Sequence, residues 1–351
     1  MKRIIVALVL SVALGFVGLY VAAGEALFEA ETYRIKNPSA PVIAVCVVAF
    51  LAEWLTPAIR VRMLCRAQNI VVPYRSALLV HLLSVLGAIV TPNNSGQGPV
   101  LVAALNRLGV PLGAGIGVVM QIFVLDLVFY AWVVPLSLWY LLYSDVVVLP
   151  ASVEVFTLAA AALVAVGAVF LGRYPRLIVS LLLAAAKWRL LERFGNRLRK
   201  VARDYHRSSR AYLSAPGSTR LALHAVTPIG WLAASVLLWG LLQLYGIDVD
   251  LPATLALLSS ISLVSQFVPT PGGGAGFVEA AVGLSVGYYA TDGSVAAALI
   301  VWRLAALYLV FLVGPLAGWL LLLSPPVKRI RRGPVQTTDA DEKGIPDGHG
   351  Q

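Results

Sequence analysis

Three ionisable residues lie deep within apolar runs: Asp126, about midway along the run 114 to 142, Arg303, eight residues into the run 295 to 323, and Glu279, directly after a glycine-rich break. An unpaired charge at such depth costs about 2.5–3.5 kcal/mol even on the mildest insertion scales, so each is a candidate for a substrate or ion path. A guanidinium offers planar, forked donors, which makes Arg303 the natural binder of a phosphate or a carboxylate. Two readings stand side by side. Either the three converge on a polar path, or Arg303 is neutralised by Asp126 or by Glu279 in a buried pair that holds the fold together.

The breaks themselves carry a second kind of chemistry. Val268-Pro269-Thr270-Pro271-Gly272-Gly273-Gly274-Ala275-Gly276-Phe277-Val278-Glu279 cannot continue a helix, because proline lacks a backbone donor and glycine favours other conformations. Thr91-Pro92-Asn93-Asn94-Ser95-Gly96-Gln97-Gly98-Pro99 repeats the theme 179 residues upstream, again starting Thr-Pro and running into glycine. Backbone N–H groups freed at a break, or at the N-terminus of a half-helix, attract anions. A plain tight turn is the bland alternative. Broken segments at membrane depth are tolerated only where protein buries them or a polar cavity lies beside them, and paired breaks in two halves point to an inverted-repeat transporter. The candidate path therefore comprises Thr91, Pro92, Asn93, Asn94, Gly96, Asp126, Pro271, Gly272, Gly273, Glu279 and Arg303.

The elements that must position these residues follow from hydropathy. The chain has 351 residues, is 59% hydrophobic and 13% charged, and has a mean hydropathy of +0.85. That excludes a soluble globular domain and implies an all-α polytopic membrane protein. About six full spans are expected, at 4 to 23, 41 to 58, 114 to 142, 150 to 171, 221 to 245 and 295 to 323. The two broken segments, 76 to 108 and 252 to 290, are re-entrant hairpins or paired short helices. The first run follows Lys2-Arg3 and exceeds a signal-peptide core of roughly 7–15 residues, so it reads as a retained helix. Glu53 beside Trp54, toward the end of the second span, reads as an interfacial anchor.

Charge sets the topology. Treating each broken segment as returning to its side of entry puts 24 of the 27 basic residues inside, with Arg34 and Lys36 outside and Arg303 within a span. Both chain ends are then cytoplasmic, and the two hairpins enter from opposite sides. Residues 172 to 220 carry twelve Lys/Arg and an apolar spacing of three, four or seven, the pattern of a basic amphipathic helix that anionic headgroups would attract. Residues 324–351 are expected to be a disordered tail, leaving 1–323 as the membrane domain. The net charge of +10 lies between apolar runs, which argues against nucleic acid as a partner. Cys46 and Cys65 suggest no disulfide, His81 and His224 are isolated, and no metal or cofactor motif is present.

At Thr91-Pro92-Asn93-Asn94-Ser95-Gly96 with Gly109-Val110, at Asp126, at Pro271-Gly272-Gly273 with Glu279, and at Arg303, the chain resembles the flippase-like family named after the lysylphosphatidylglycerol synthase transmembrane region. That region is the membrane module of bacterial multiple peptide resistance factors. The chain departs from the family pattern at Gln97-Gly98-Pro99, where an acidic residue is common, and at Phe123, where arginine is common. The resemblance implies a cell-membrane protein that moves a lipid or lipid-linked headgroup between leaflets, with an anionic or polyprenyl-linked lipid as the expected substrate. No aminoacyl-transferase domain is expected, so a separate lipid-modifying enzyme is a possible partner. The alternatives are a polyprenyl-dependent glycosyltransferase or lipid-modifying enzyme, and a non-transporting partner of one.

Overall fold

The computed structural model describes residues 2–144, 195–268, 270, 274–286 and 293–329, with isolated residues between 155 and 184. Most of the expected span 150 to 171 and of the stretch 172 to 194, and Pro271, Gly272 and Gly273, lie outside the described residues. What is described is almost wholly helical. Helices α1 (Lys2–Ala23), α2 (Ala40–Ala67), α3 (Tyr74–Ile89), α4 (Gln97–Arg107) and α5 (Leu112–Tyr143) form the first part. Helices α6 (Gly195–Leu213), α7 (Gly217–Leu244), α8 (Leu251–Ser265), α9 (Phe277–Val286), α10 (Ser294–Arg303) and α11 (Val310–Leu323) form the second.

Among the described residues, four helical stretches are long and apolar enough to cross a membrane: α2, α5, α7, and α10 through α11. Each carries one internal proline, Pro57, Pro135, Pro228 and Pro315 respectively. Between α10 and α11 the chain widens into a π-helical turn, Leu304–Tyr308, starting next to Arg303. Such widened turns recur at functional sites. The exterior of the bundle is apolar, with Leu136, Leu312 and Trp319 among the large exposed side chains. Small polar residues such as Ser84, Thr227 and Ser235 are buried between helices, the distribution expected when hydrocarbon is the solvent.

α2 extends nine residues beyond its expected end at 58, which brings Arg60 inside the helix instead of into a basic loop. The reason is electrostatic: a partner on α5, described below, neutralises that guanidinium. The axis of the molecule is the packing of α2 against α7. Glycine permits the close approach, since a Cβ at Gly240 would come within 2.5 Å of the Cys46 sulfur. Both cysteines are free and buried.

The two broken segments are helical pairs. α3 has 16 residues and α4 has 11, about 24 Å and 16 Å long at ~1.5 Å per residue, short of a hydrocarbon core of ~30 Å. α8 and α9, with 15 and 10 residues, are shorter still. Asp250 caps α8 by accepting the Ala253 N–H at 2.8 Å, with Pro252 in the first turn. The Tyr140 hydroxyl donates to the same carboxylate at 2.7 Å, fastening α5 to the start of α8. α3 packs on α11 and α8 packs on α5, so each pair leans on the last long helix of the other part.

α1 is an integral packing element. It lies along α9, where a Cβ on Gly18 would overlap the Gly276 backbone and a Cβ on Gly276 would meet the Leu14 carbonyl oxygen at 2.7 Å. α6 docks on α5, burying Tyr205, Ser209 and Tyr212 while Arg203, Arg207 and Arg210 on the opposite face stay exposed. This is the expected basic amphipathic pattern, used here to pack against the bundle. After α11 the chain turns back. The Val327 N–H donates to the Leu108 carbonyl at 2.8 Å, and the two-residue strand β2 (Lys328–Arg329) pairs antiparallel with β1 (Ile70–Val71). These backbone bonds hold residues 324–329, the first six of the expected tail, against the bundle. Residues 330–351 lie outside the described residues.

Replacing Gly18 by valine overpacks the α1–α9 contact and is expected to cost about 1–3 kcal/mol. Thermal unfolding of the detergent-solubilised protein should show a midpoint several degrees lower. Gly217→Ala, where a Cβ meets nothing within 4 Å, should leave it unchanged.

Candidate functional site

The tip of the first hairpin is built by Thr91. Its hydroxyl donates to the Gly87 carbonyl at 2.8 Å and accepts the Gly96 N–H at 2.7 Å, closing the turn from α3 to α4. Pro92–Asn94 form a single 3-10 turn in which Asn93 and Asn94 are left-handed, at φ 52° and 54°, a conformation asparagine tolerates. Gly87 and Gly96 face each other across the tip, where a Cβ on Gly87 would meet the Gly96 oxygen at 2.9 Å. Thr91, Pro92 and Gly96 thus shape the turn, and Asn93 and Asn94 project into the cavity beyond it.

The second break resolves around Glu279. Gly276 precedes α9 in the left-handed region, φ 85°, and its N–H donates to Glu279 Oε2 at 2.8 Å. This is one half of a capping box, and the carboxylate also faces the positive end of the α9 dipole. Oε1 of the same residue lies 2.7 Å from Arg303 Nε. The two charges form an ion pair, although the Nε–H is not aligned on that oxygen as a hydrogen bond. Glu279 is fully buried and Arg303 is only 6% exposed. The guanidinium also sits 4.7 Å from the centroid of the Trp302 ring.

Asp126 belongs to a different pair. Arg60 on α2 donates to Asp126 Oδ1 at 2.6 Å and to the Ile122 carbonyl at 3.2 Å, and Trp231 on α7 adds an N–H to the same Oδ1 at 3.1 Å. Of the two pairings left open by sequence, Glu279 with Arg303 is the one observed. The convergence of all three residues at the hairpin tips is corrected accordingly, because Asp126 is held by Arg60. Phe123 stands three residues before Asp126, and the guanidinium that serves Asp126 comes from α2.

Two cavities connect these features. The larger, about 650 Å³, is lined by Glu53, Arg60, His81, Asn93, Asn94 and Asp126, among others. The smaller, about 170 Å³, holds Arg303 together with Ser259, Ser262 and Gln266. Glu53, Asn94, Tyr130 and Trp231 line both, so the two are contiguous and span from the first hairpin tip to the second break. Trp231 stacks on Phe129 at 6.3 Å and meets Tyr130 edge-on at 5.2 Å, a stiff aromatic wall between the two spaces.

Glu53 and Arg60 are the residues that sequence reasoning missed. Glu53 is no interfacial anchor: α2 continues to Ala67, so the residue sits well inside the helix, and its Oε2 is enclosed without a hydrogen-bond partner. The signal was present in their spacing. Glu53 and Arg60 are seven residues apart and hence on one face of a continuous helix. Among the described residues no group of three His, Cys, Asp or Glu is placed to hold a metal ion.

An apolar exterior, helices of spanning length and a charged interior define a multi-pass helical membrane protein. The chain belongs to the family described as the lysylphosphatidylglycerol synthase TM region, whose pattern matches residues 4–314. That family places it among membrane proteins of lipid metabolism or transport. No curated protein matches the chain.

Removing one member of the Arg60–Asp126 pair strands the other charge, and with the Asp126 side chain 21% exposed the loss is expected to fall below the roughly 3–5 kcal/mol of a fully buried pair. Arg60→Ala and Asp126→Asn should each destabilise the protein, and the double variant should lose much less than the two combined. Additive losses in thermal unfolding would show that the pair is not energetically coupled.

Proposed function

We propose that this protein is a translocase that carries the headgroup of a phosphate-bearing lipid, a phospholipid or a polyprenyl-linked substrate, between the leaflets of the cell membrane. The observation that carries the reading is the pair of adjacent cavities, largely apolar but edged by charged and amide side chains from Asn93 and Asn94 at one hairpin tip to Arg303 at the other break, inside a bundle whose exterior is apolar. A headgroup needs such a path because stripping it of water in hydrocarbon is prohibitive, whereas its tails are at home in lipid. Arg60 and Arg303 each retain a buried N–H without a hydrogen-bond partner, which suits a phosphate oxygen.

An inverted repeat accounts for the symmetry of the packing. α2, the α3–α4 pair and α5 match α7, the α8–α9 pair and α10 through α11, and the α3–α11 contact has its counterpart in the α8–α5 contact. Pro57 and Pro228 occupy corresponding spans, as do Pro135 and Pro315. The short arms of both pairs favour re-entrant hairpins entering from opposite sides, with both chain ends in the cytoplasm under the distribution of basic residues. Alternating access would then be a rocking of one repeat against the other about the α2–α7 contact.

The test is transbilayer movement in proteoliposomes, read as dithionite quenching of acyl-chain-labelled fluorescent lipids. The wild type should move at least one phosphate-bearing lipid faster than protein-free vesicles do. Arg303→Ala and Glu279→Gln should each slow that movement by about tenfold or more, the equivalent of one charged hydrogen bond. Equal rates in wild type and variants would remove these residues from the path.

A further inference from the structure

The fate of each charge in the interior separates two residues from the rest. Asp126 is spent on Arg60 and Trp231, and Glu279 is spent on Arg303 and the Gly276 N–H. Glu53 is the acid left over. Its Oε2 is enclosed with no hydrogen-bond partner, at the place where the two cavities join. Arg303, more than nine-tenths buried, keeps Nη2 without a partner in the smaller cavity. Glu53 and Arg303 therefore line the same 170 Å³ space without being hydrogen-bonded to each other, each with an enclosed atom that has no hydrogen-bond partner among the described residues.

We propose that Glu53 and Arg303 are the two ends of a clamp for a zwitterionic phospholipid headgroup, with its phosphate on Arg303 and its primary ammonium on Glu53. The assignment rests on the translocase reading above and narrows its substrate. A headgroup that carries both a phosphate and an ammonium offers an acceptor to Arg303 and a donor to Glu53, the hydrogen bonds that each lacks among the described residues. A quaternary amine has no N–H to give Glu53 and is expected to bind more weakly. Ser259, Ser262 and Gln266 complete the lining of the smaller cavity with uncharged polar groups that tolerate either end of the zwitterion. Glu53 thereby becomes the residue that sets headgroup preference, distinct from Arg303, which any phosphate would use.

Two measurements on the full-length protein test this. The first is binding in detergent micelles, followed by intrinsic tryptophan fluorescence, with short-chain phosphatidylethanolamine, phosphatidylcholine and phosphatidylglycerol as probes. Phosphatidylethanolamine should bind about tenfold more tightly than either of the others, the value of one charged hydrogen bond. Glu53→Gln, nearly the same in shape, should abolish that advantage while leaving phosphatidylglycerol binding unchanged or stronger. Equal affinity for the three lipids, or an equal loss for all three in Glu53→Gln, overturns the clamp. The second is the quench assay with the same headgroups on acyl-labelled lipids, where the order of rates should follow the order of affinities. Preferential binding without any movement would uphold the clamp and sink the translocase reading. Movement with phosphatidylglycerol as fast as phosphatidylethanolamine would do the reverse.

Discussion

Glu279 is the residue on which the arrangement turns. Its side chain is wholly enclosed, and its two oxygens serve two masters: one accepts the N–H of Gly276 and so begins α9, while the other faces the guanidinium of Arg303 on α10. A break in the backbone at membrane depth leaves donors that hydrocarbon cannot satisfy, and a guanidinium there is costlier still. One carboxylate answers both demands. The π-helical turn just beyond Arg303 and the close passage of α1 over Gly276 belong to the same construction, since a Cβ on Gly15 would sit 3.4 Å from Glu279 Oε1.

The first break is solved with neutral groups. Thr91 closes the turn through its hydroxyl, and two asparagines take up left-handed conformations that open their side chains toward the larger cavity. Charge enters on that side through Arg60 and Asp126, which link α2 to α5, with Trp231 joining from α7. The two ends of the polar interior thus differ in chemistry: a dry ion pair at one, an amide-lined chamber with a partly open ion pair at the other. Glu53 lies between them.

The packing buries Arg60, Glu279 and Arg303 and leaves the four long helices apolar outside. Each of those helices contains one internal proline, which removes a backbone donor from its ladder, and Pro57 does so at the wall of the larger cavity. Membership of the lysylphosphatidylglycerol synthase TM region family fits a scaffold of this kind, in which a helical shell surrounds a site for lipid chemistry or transport.

The amino-acid sequence by itself determined the membrane class, the four long helices, the two breaks and the depth of Asp126, Glu279 and Arg303, because these follow from hydropathy and from the backbone limits of proline and glycine. It also contained the heptad spacing of Glu53 and Arg60, hidden because a run of arginines resembles the end of a span. Only the tertiary structure decided which charge met which. Arg60 and Asp126 are 66 residues apart and Glu279 and Arg303 are on successive helices, and local periodicity carries no information about such meetings. Pairing depends on which helices pack and at what height. Here that was settled by α2 packing along α7 and by each hairpin leaning on the opposite part of the chain.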